Sequence, residues 1–300
     1  MKAIHVNSTL PTVPYLGRLK GPDGYQVEDF ELLTTILSAA SWRRHNGPIK
    51  LYTDQVGAAY YRRLGMTQLW DGGIDTDTLE SLPASISHDV FWTAGRVAAL
   101  RAETAPFVSL DTDLVVWGPL DGLITSDFMA LHPEPVGHGV YRPRCELSTP
   151  PGYAWPDWDW AVSPCNAALT SYADDRLTKL FHDEAMAFIV GNPIQREADA
   201  RLPVHDVFVA QRLLPMCAVR LGIEPAYLLH WSRPERGSET MAAGGQNLLV
   251  THVWAYKDVL KADPEVRESF CRQCVARIRV DHPELLGMLR HIPSLRRYLP

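Results

Sequence analysis

The sequence predicts an α/β fold, a sheet flanked by helices, and three observations carry that expectation. Strand-like and helix-like stretches alternate from the N-terminus, the pattern of chains that build a sheet with helices laid against it. The composition, 46% hydrophobic and 21% charged over 300 residues, is that of a globular chain with enough apolar material for a sizeable core. An apolar strand, "PFVSL", runs into the acids of "DTD", and α/β sheets collect ligands beyond the carboxyl ends of their strands.

"AIHVN" reads as the first strand, and "YQVEDFELLTTILSAASWRRH" as a helix with Val27, Phe30, Thr34 and Leu37 on one stripe. "PIKLYTD" is a second strand ending in an acid. "VGAAYYRRLG" then carries Val56, Ala59, Tyr60 and Leu64 at helical spacing before the stopping Gly65. A short strand "TQLWD" and a Gly-Gly loop follow, so the D-T-D of Asp75 to Asp77 reads as a turn or helix-capping cluster. "HDVFWTAGRVAALRAE" looks helical and leads into the strand that ends at Asp111.

After these acids "LVVWGPLDGL" continues apolar and turns at Gly118-Pro119. Residues 132–164 are rich in Pro, Gly, Trp and His without a clear period, which predicts a long excursion over a site. "NAALTSY" is strand-like, and "DDRLTKLFHDEAMAFIV" is a helix carrying Leu177, Leu180, Phe181 and Phe188. "VHDVFVAQRLLPM" reads as helical from Asp206, and "QNLLVTHVWAYK" as a late strand ending in a polar and aromatic cluster. The expected organisation is a domain over 1–260 and a helical appendage over 261–300.

A formal net charge of -6 gives no overall electrostatic reason to bind nucleic acid. No apolar run is long enough to cross a bilayer, and "MKAIHVNSTLP" is too short and too broken by His5 and Asn7 for a secretory signal, so a cytoplasmic protein is expected. The 5 cysteines are irregularly spaced, as reduced thiols are. Cys271 and Cys274 form a CxxC, but with Val266, Phe270 and Ile278 at helical spacing around them they read as core thiols.

Two carboxylates one residue apart are costly to bury together unless a cation joins them. In an extended chain Asp111 and Asp113 project to the same side and reach one point in space. A hard divalent ion such as Mg²⁺ or Mn²⁺ takes such oxygens and bridges them to phosphates. On the tripeptide alone the alternative stays open: Asp113 capping a turn while Asp111 pairs with a base.

The segment "FWTAGRVAALRAETAPFVSLDTDLVVWGPL" resembles the helix, strand and D-x-D of nucleotide-sugar glycosyltransferases of the GT-A fold, particularly family eight, the glycogenin and bacterial lipopolysaccharide galactosyltransferase type. "CNAALTSY", "LPVHDVFVAQ" and "LLVTHVWAYK" are similar to three later motifs of that family, in its order. The likeness runs from "AIHVN" to Lys257. It departs from the family pattern at Ala168 (Gly is usual), at His205-Asp206 (Asp-Gln is usual), and in the spacing from His252 to Lys257, one residue short.

The resemblance implies a mixed, mostly parallel sheet and a metal-dependent transfer of a sugar, with retention, from a nucleotide donor (a UDP-sugar favoured) to a carbohydrate or lipid-linked acceptor. By this likeness Asp111, Asp113 and His252 hold Mn²⁺ or Mg²⁺, and Lys257 and Arg96 bring positive charge to the diphosphate. His5, Asn7 and Asp54, at strand ends, are candidates for the base and ribose; for Asp54 a helix N-cap is the equal alternative. Asn166, Asp206 and His205 are the residues expected beside the sugar, and Asp206 is also placed to cap a helix.

"PPGYAWPDWDW" offers Tyr153, Trp155, Trp158 and Trp160 as an acceptor platform, or as a loop packing its own tryptophans. In the tail, Arg277, Arg279, Arg290, Arg296 and Arg297 with Leu286, Leu289, Ile292, Leu295 and Tyr298 make residues 277–300 a candidate for peripheral membrane contact; docking on the domain is the other reading. A non-catalytic sugar-nucleotide binder and a haloacid-dehalogenase-like phosphatase are the rival functions. The phosphatase fits poorly, because Asp174-Asp175 precede Lys179 where that family needs a Lys before its acids.

Overall fold

The computed structural model describes residues 1–11, 18–21, 24–137, 139–195, 203–229 and 249–299. Its strands are β1 (Ala3–Asn7), β2 (Arg18–Gly21), β3 (Gly24–Val27), β4 (Ile49–Thr53), β5 (Ile74–Asp75), β6 (Phe107–Leu110), β7 (Leu114–Val116), β8 (Phe128–Pro133), β9 (Cys165–Tyr172), β10 (Ala226–Tyr227) and β11 (Val250–His252). The longer helices are α1 (Asp29–His45), α2 (Gln55–Arg63), α3 (Ala94–Ala102), α4 (Asp175–Ile189) and α5 (Pro264–Asp281). A seven-stranded sheet has the order β10-β8-β9-β6-β1-β4-β5. The β1–β4, β4–β5 and β8–β10 pairs are parallel and β8–β9 is antiparallel, so the sheet is mixed and mostly parallel, as expected.

The chain divides into two units: Met1–Thr76, Leu110–Asp121 and Arg233–Pro300 form the first, Asp77–Ser109 and Gly122–Ser232 the second. In the first unit α1 is buried from Phe30 to Trp42, not along one stripe. A helix surrounded on all faces must satisfy its polar side chains internally. Its serines do so by stitching α1 to β7: the Ser38 hydroxyl donates to the Leu114 carbonyl at 2.6 Å, and the Ser41 hydroxyl to the Val116 carbonyl. Strand β7 pairs antiparallel with β11, with Leu114 opposite His252.

Several local expectations shift. Val27 lies in β3 ahead of the helix, and in α2 the buried face is Gly57, Ala58, Tyr60 and Tyr61, with Val56 53% exposed. The spacing holds at Tyr60 but not at Val56 and Ala59, which are exposed, because Tyr61 joins Tyr60 inside and two tyrosines outweigh one valine in buried area. "TQLWD" forms a 3-10 turn at Thr67–Leu69 rather than a strand, and "HDVFW" is turn ahead of α3. The later helix starts at Val204, two residues before Asp206, and passes through a π-helical stretch at Phe208–Leu213. Strand β8 went unforeseen, and the opening of the late strand, residues 246–248, lies outside the described residues.

The tail docks within the first unit. Leu285, Met288, Leu289, Ile292, Leu295 and Tyr298 are buried, Arg44 donates to the Asp281 carbonyl at 2.7 Å, and Arg297 pairs with Asp29 at 2.9 Å. Cys271 and Cys274 are buried on α5, core thiols as the spacing predicts. Four of the five apolar residues offered above to a membrane surface are therefore enclosed. Among the described residues, no helix is long and apolar enough to cross a membrane. Leu295→Ala should cost about 2–5 kcal/mol in urea unfolding of the whole chain, through a cavity at the tail's seat.

Candidate metal centre

The two acids converge, though not as an extended chain would bring them together. Between β6 and β7 the backbone turns: the Leu114 amide donates to the Asp111 carbonyl at 3.1 Å, so D-T-D forms a tight turn. The antiparallel register then brings β11 alongside, and the Val253 amide donates to the Asp113 carbonyl at 3.1 Å. His252 Nε2 lies 3.8 Å from Asp113 Oδ1, and ligand atoms from Asp111, Asp113 and His252 all fall within 4.8 Å of one another. Two carboxylates and an imidazole suit a borderline-hard divalent ion such as Mn²⁺, so these residues can hold a metal.

Lys257 completes the cluster. Its Nζ is 3.1 Å from Asp113 Oδ2 and 3.1 Å from Glu31 Oε1, and all three side chains are largely buried. Burial works against the ammonium, but Asp113 and Glu31 outweigh it and raise Lys257 above its ordinary range. Burial likewise works against the Asp113 carboxylate; Lys257 first, then His252, overcomes it and holds Asp113 below the usual carboxylate range.

Beneath the cluster runs a buried relay. Trp70 Nε1 donates to His5 Nδ1 at 3.3 Å, His5 Nε2 lies 3.0 Å from the Ser38 hydroxyl, and that hydroxyl donates to the Leu114 carbonyl. The indole can only donate, which leaves the His5 proton on Nε2. Burial lowers the pKa of His5 to about 3, against the pull of Asp113, so the ring is neutral. With both nitrogens engaged, His5 supports the strand that follows Asp113.

Asp54 takes its alternative reading. It caps α2 by accepting from the Gly57 amide at 2.9 Å, and it also accepts from the Thr9 amide at 2.5 Å and the Thr9 hydroxyl at 2.8 Å. It therefore fixes the chain leaving β1. The Asn7 side chain is buried and exchanges hydrogen bonds with the Tyr25 hydroxyl at 3.1 and 3.2 Å.

In the second unit the Asp206 Oδ1 accepts from both the amide and the hydroxyl of Thr93, each at 2.9 Å, and burial raises its pKa to about 7. It ties its helix to the start of α3 and does not cap its own helix. Arg96 donates to the Ala167 carbonyl at 3.1 Å, joining α3 to β9. His205 Nε2 accepts from the Ser148 amide at 2.9 Å, while burial lowers its pKa, and Asn166 Oδ1 accepts from the Ala168 amide at 3.0 Å.

The tryptophan loop packs partly on itself and more on α4 and the π-helical stretch after it. Trp155 meets Tyr153, Trp160, Phe188 and Phe208 at ring-centroid distances of 5.2 to 5.8 Å, and Trp158 is buried under Arg220. Sequence reasoning missed Glu31, Ser38, Trp70 and Thr93. Glu31 reads in sequence as an ordinary acid in the first turn of a helix, and nothing local distinguishes it from one that faces water.

No protein-family model matches this chain, and no curated protein matches it. Among solved structures, the apo form of the glycosyltransferase GlyE of Streptococcus pneumoniae is similar with a TM-score of 0.39 and 13% identity, over 84% of this chain and 53% of that one. The chain thus spans about half the length of that protein.

Proposed function

We propose that this protein is a metal-dependent glycosyltransferase of the GT-A type that moves a sugar from a nucleoside diphosphate donor to a hydroxyl acceptor. The observation that carries the reading is the convergence of Asp111, Asp113 and His252, with Lys257 held at 3.1 Å from Asp113. A carboxylate pair that would repel itself, an imidazole and a buried ammonium together form a receptor for a cation and an anion side by side. A divalent ion held there supplies Lewis-acid stabilisation of the leaving diphosphate.

The chain's own part follows from its residues. Asp111, Asp113 and His252 orient the ion, and Lys257 donates N–H to the phosphate oxygens as the bond to the sugar breaks and negative charge gathers on them. The buried relay from Trp70 through His5 and Ser38 keeps the segment after Asp113 in place, so that little reorganisation accompanies the charge change. The sugar-side roles of Asp206, Asn166 and His205, retention, and the choice of UDP rest on the family likeness.

Thermal unfolding with Mn²⁺ and a panel of UDP- and GDP-sugars tests the proposal. Stabilisation should require metal and one donor class together, and the same tube should show slow donor hydrolysis. Stabilisation without donor loss returns the non-catalytic binder. Turnover of an aryl phosphate with no response to any donor overturns the transferase.

A further inference from the structure

Glu31 is a charged side chain on a helix that is otherwise enclosed from Phe30 to Trp42, and the chemistry above gives it no part. A buried carboxylate persists only with a partner, and this one faces the Lys257 ammonium at 3.1 Å and also attracts Lys261 from the next turn. Lys257 is thereby held between two carboxylates of unlike status. Asp113 belongs to the group able to hold a metal; Glu31 does not. The ammonium, 3.1 Å from Asp113, supplies positive charge to that carboxylate. A divalent ion on the same carboxylate repels the ammonium at close range and weakens its hold on Asp113.

We propose that Glu31 is a positioning residue: it is the second anchor that lets Lys257 leave Asp113 when a divalent ion arrives, so that lysine and metal do not compete for one carboxylate. The inference rests on the metal-centre reading above and deepens it. Without Glu31, Lys257 loses the partner that stands outside the candidate ligand group and leans on Asp113, where the ammonium opposes the ion. With Glu31, the lysine keeps a counter-charge through the exchange and turns its N–H groups toward an incoming diphosphate. Such a device lets a buried site alternate between a metal-free and a metal-loaded state with no stranded charge in either.

The test is Mn²⁺ binding to the full chain in the absence of nucleotide, read from the electron paramagnetic resonance signal of free Mn²⁺. Glu31→Gln should weaken binding about tenfold, the low end of what loss of a supporting partner costs a metal site. Lys257→Met, which removes the competitor, should strengthen it several-fold. In the Lys257→Met background, Glu31→Gln should change Mn²⁺ affinity by less than about twofold, because its effect passes through the lysine.

A second reading uses UDP at saturating Mn²⁺. Its affinity for Glu31→Gln should stay within about twofold of wild type, since Lys257 is then free for the diphosphate. An equal loss of Mn²⁺ affinity in both backgrounds, no loss in either, or a parallel collapse of UDP affinity overturns the inference. Should Lys257→Met not fold, Glu31→Gln decides: a loss of Mn²⁺ affinity with UDP affinity unchanged at saturating Mn²⁺ supports the idea, and no loss of Mn²⁺ affinity or a parallel loss of UDP affinity overturns it; should Glu31→Gln not fold, Mn²⁺ binding to Lys257→Met decides, and an unchanged or weaker affinity overturns the idea. Wild-type protein that binds no Mn²⁺ removes the metal centre itself, a result distinct from all of these.

Discussion

Asp113→Asn should abolish the rise in Tm expected when Mn²⁺ and a nucleotide-sugar donor are added together to the wild-type protein. At donor and metal concentrations about a hundred times their dissociation constants, ligand linkage is worth ~2.7 kcal/mol, and the variant should retain almost none of it. The reason is that Asp113 does two jobs: one oxygen lies 3.8 Å from His252 in the candidate ligand group, the other 3.1 Å from Lys257. An amide is a poor metal ligand beside a carboxylate and offers no charge to the ammonium.

The unliganded variant should nevertheless fold. Breaking a buried ion pair costs about 3–5 kcal/mol when it strands a charge, but Glu31 still faces Lys257, so the loss in urea unfolding should fall below that range. Asp111→Asn, without the lysine contact, should lose the ligand response with a smaller change in basal stability. Ligand response retained in both variants would remove the metal from the mechanism.

The second large effect is a reversal of pH dependence at Asp206. Burial raises its carboxyl from an unfolded value near 4 to about 7, even though it accepts two hydrogen bonds from Thr93. Between those values the folded state binds more protons than the unfolded state, so this group's contribution to stability falls as pH rises from about 4 through about 7. At ~1.4 kcal/mol per unit the full span approaches roughly 4 kcal/mol, an upper figure.

Asp206→Asn keeps an oxygen that can accept from Thr93 and carries no charge to bury. The variant should therefore be more stable than wild type at pH 8, by about 1–4 kcal/mol, and the advantage should vanish near pH 4. Urea midpoints at the two pH values measure it. A variant less stable than wild type at pH 8 would mean that the carboxylate is ionised and needed in the fold.

The strands bearing the candidate site were readable where local chemistry was one-sided. "FVSL" is mostly apolar and is buried throughout, and α4 buries Leu177, Phe181 and Phe188 and α5 buries Phe270, Cys274 and Ile278 as their periods predict, while Leu180 and Val266 are only half-buried. Reading failed where the same letters suit two environments. Val56, Ala59 and Tyr60 keep helical spacing, yet α2 buries Tyr60 with Tyr61 and leaves Val56 and Ala59 exposed, and "TQLWD" has strand-like residues but closes as a 3-10 turn. Propensity over five residues is a weak preference, and packing of large side chains overrides it.

The candidate site divides in the same way. Asp111 and Asp113 were nameable because two neighbouring acids at the end of an apolar strand are costly to bury without a cation, whereas His252 and Lys257 were nameable only through the family likeness. His5 and Asp54 were named for their positions at strand ends, and the structure adds their internal partners, Ser38 and the Gly57 amide, which the sequence did not announce. Glu31 and Thr93 could not be named at all. Their importance lies in partners 226 and 113 positions away in sequence, brought together only by folding.

By itself, then, the sequence determined the α/β class, the apolar strand and the pair of acids at its end, because these depend on periodicity and on the cost of burying like charges. Only the tertiary structure decided that a tight turn, and not an extended strand, brings the acids together, that β11 aligns His252 with them, and that Lys257 sits between Asp113 and Glu31. The physical reason is that register and long-range ion pairing arise from the sum of many packing contacts, and no local stretch of sequence contains that sum.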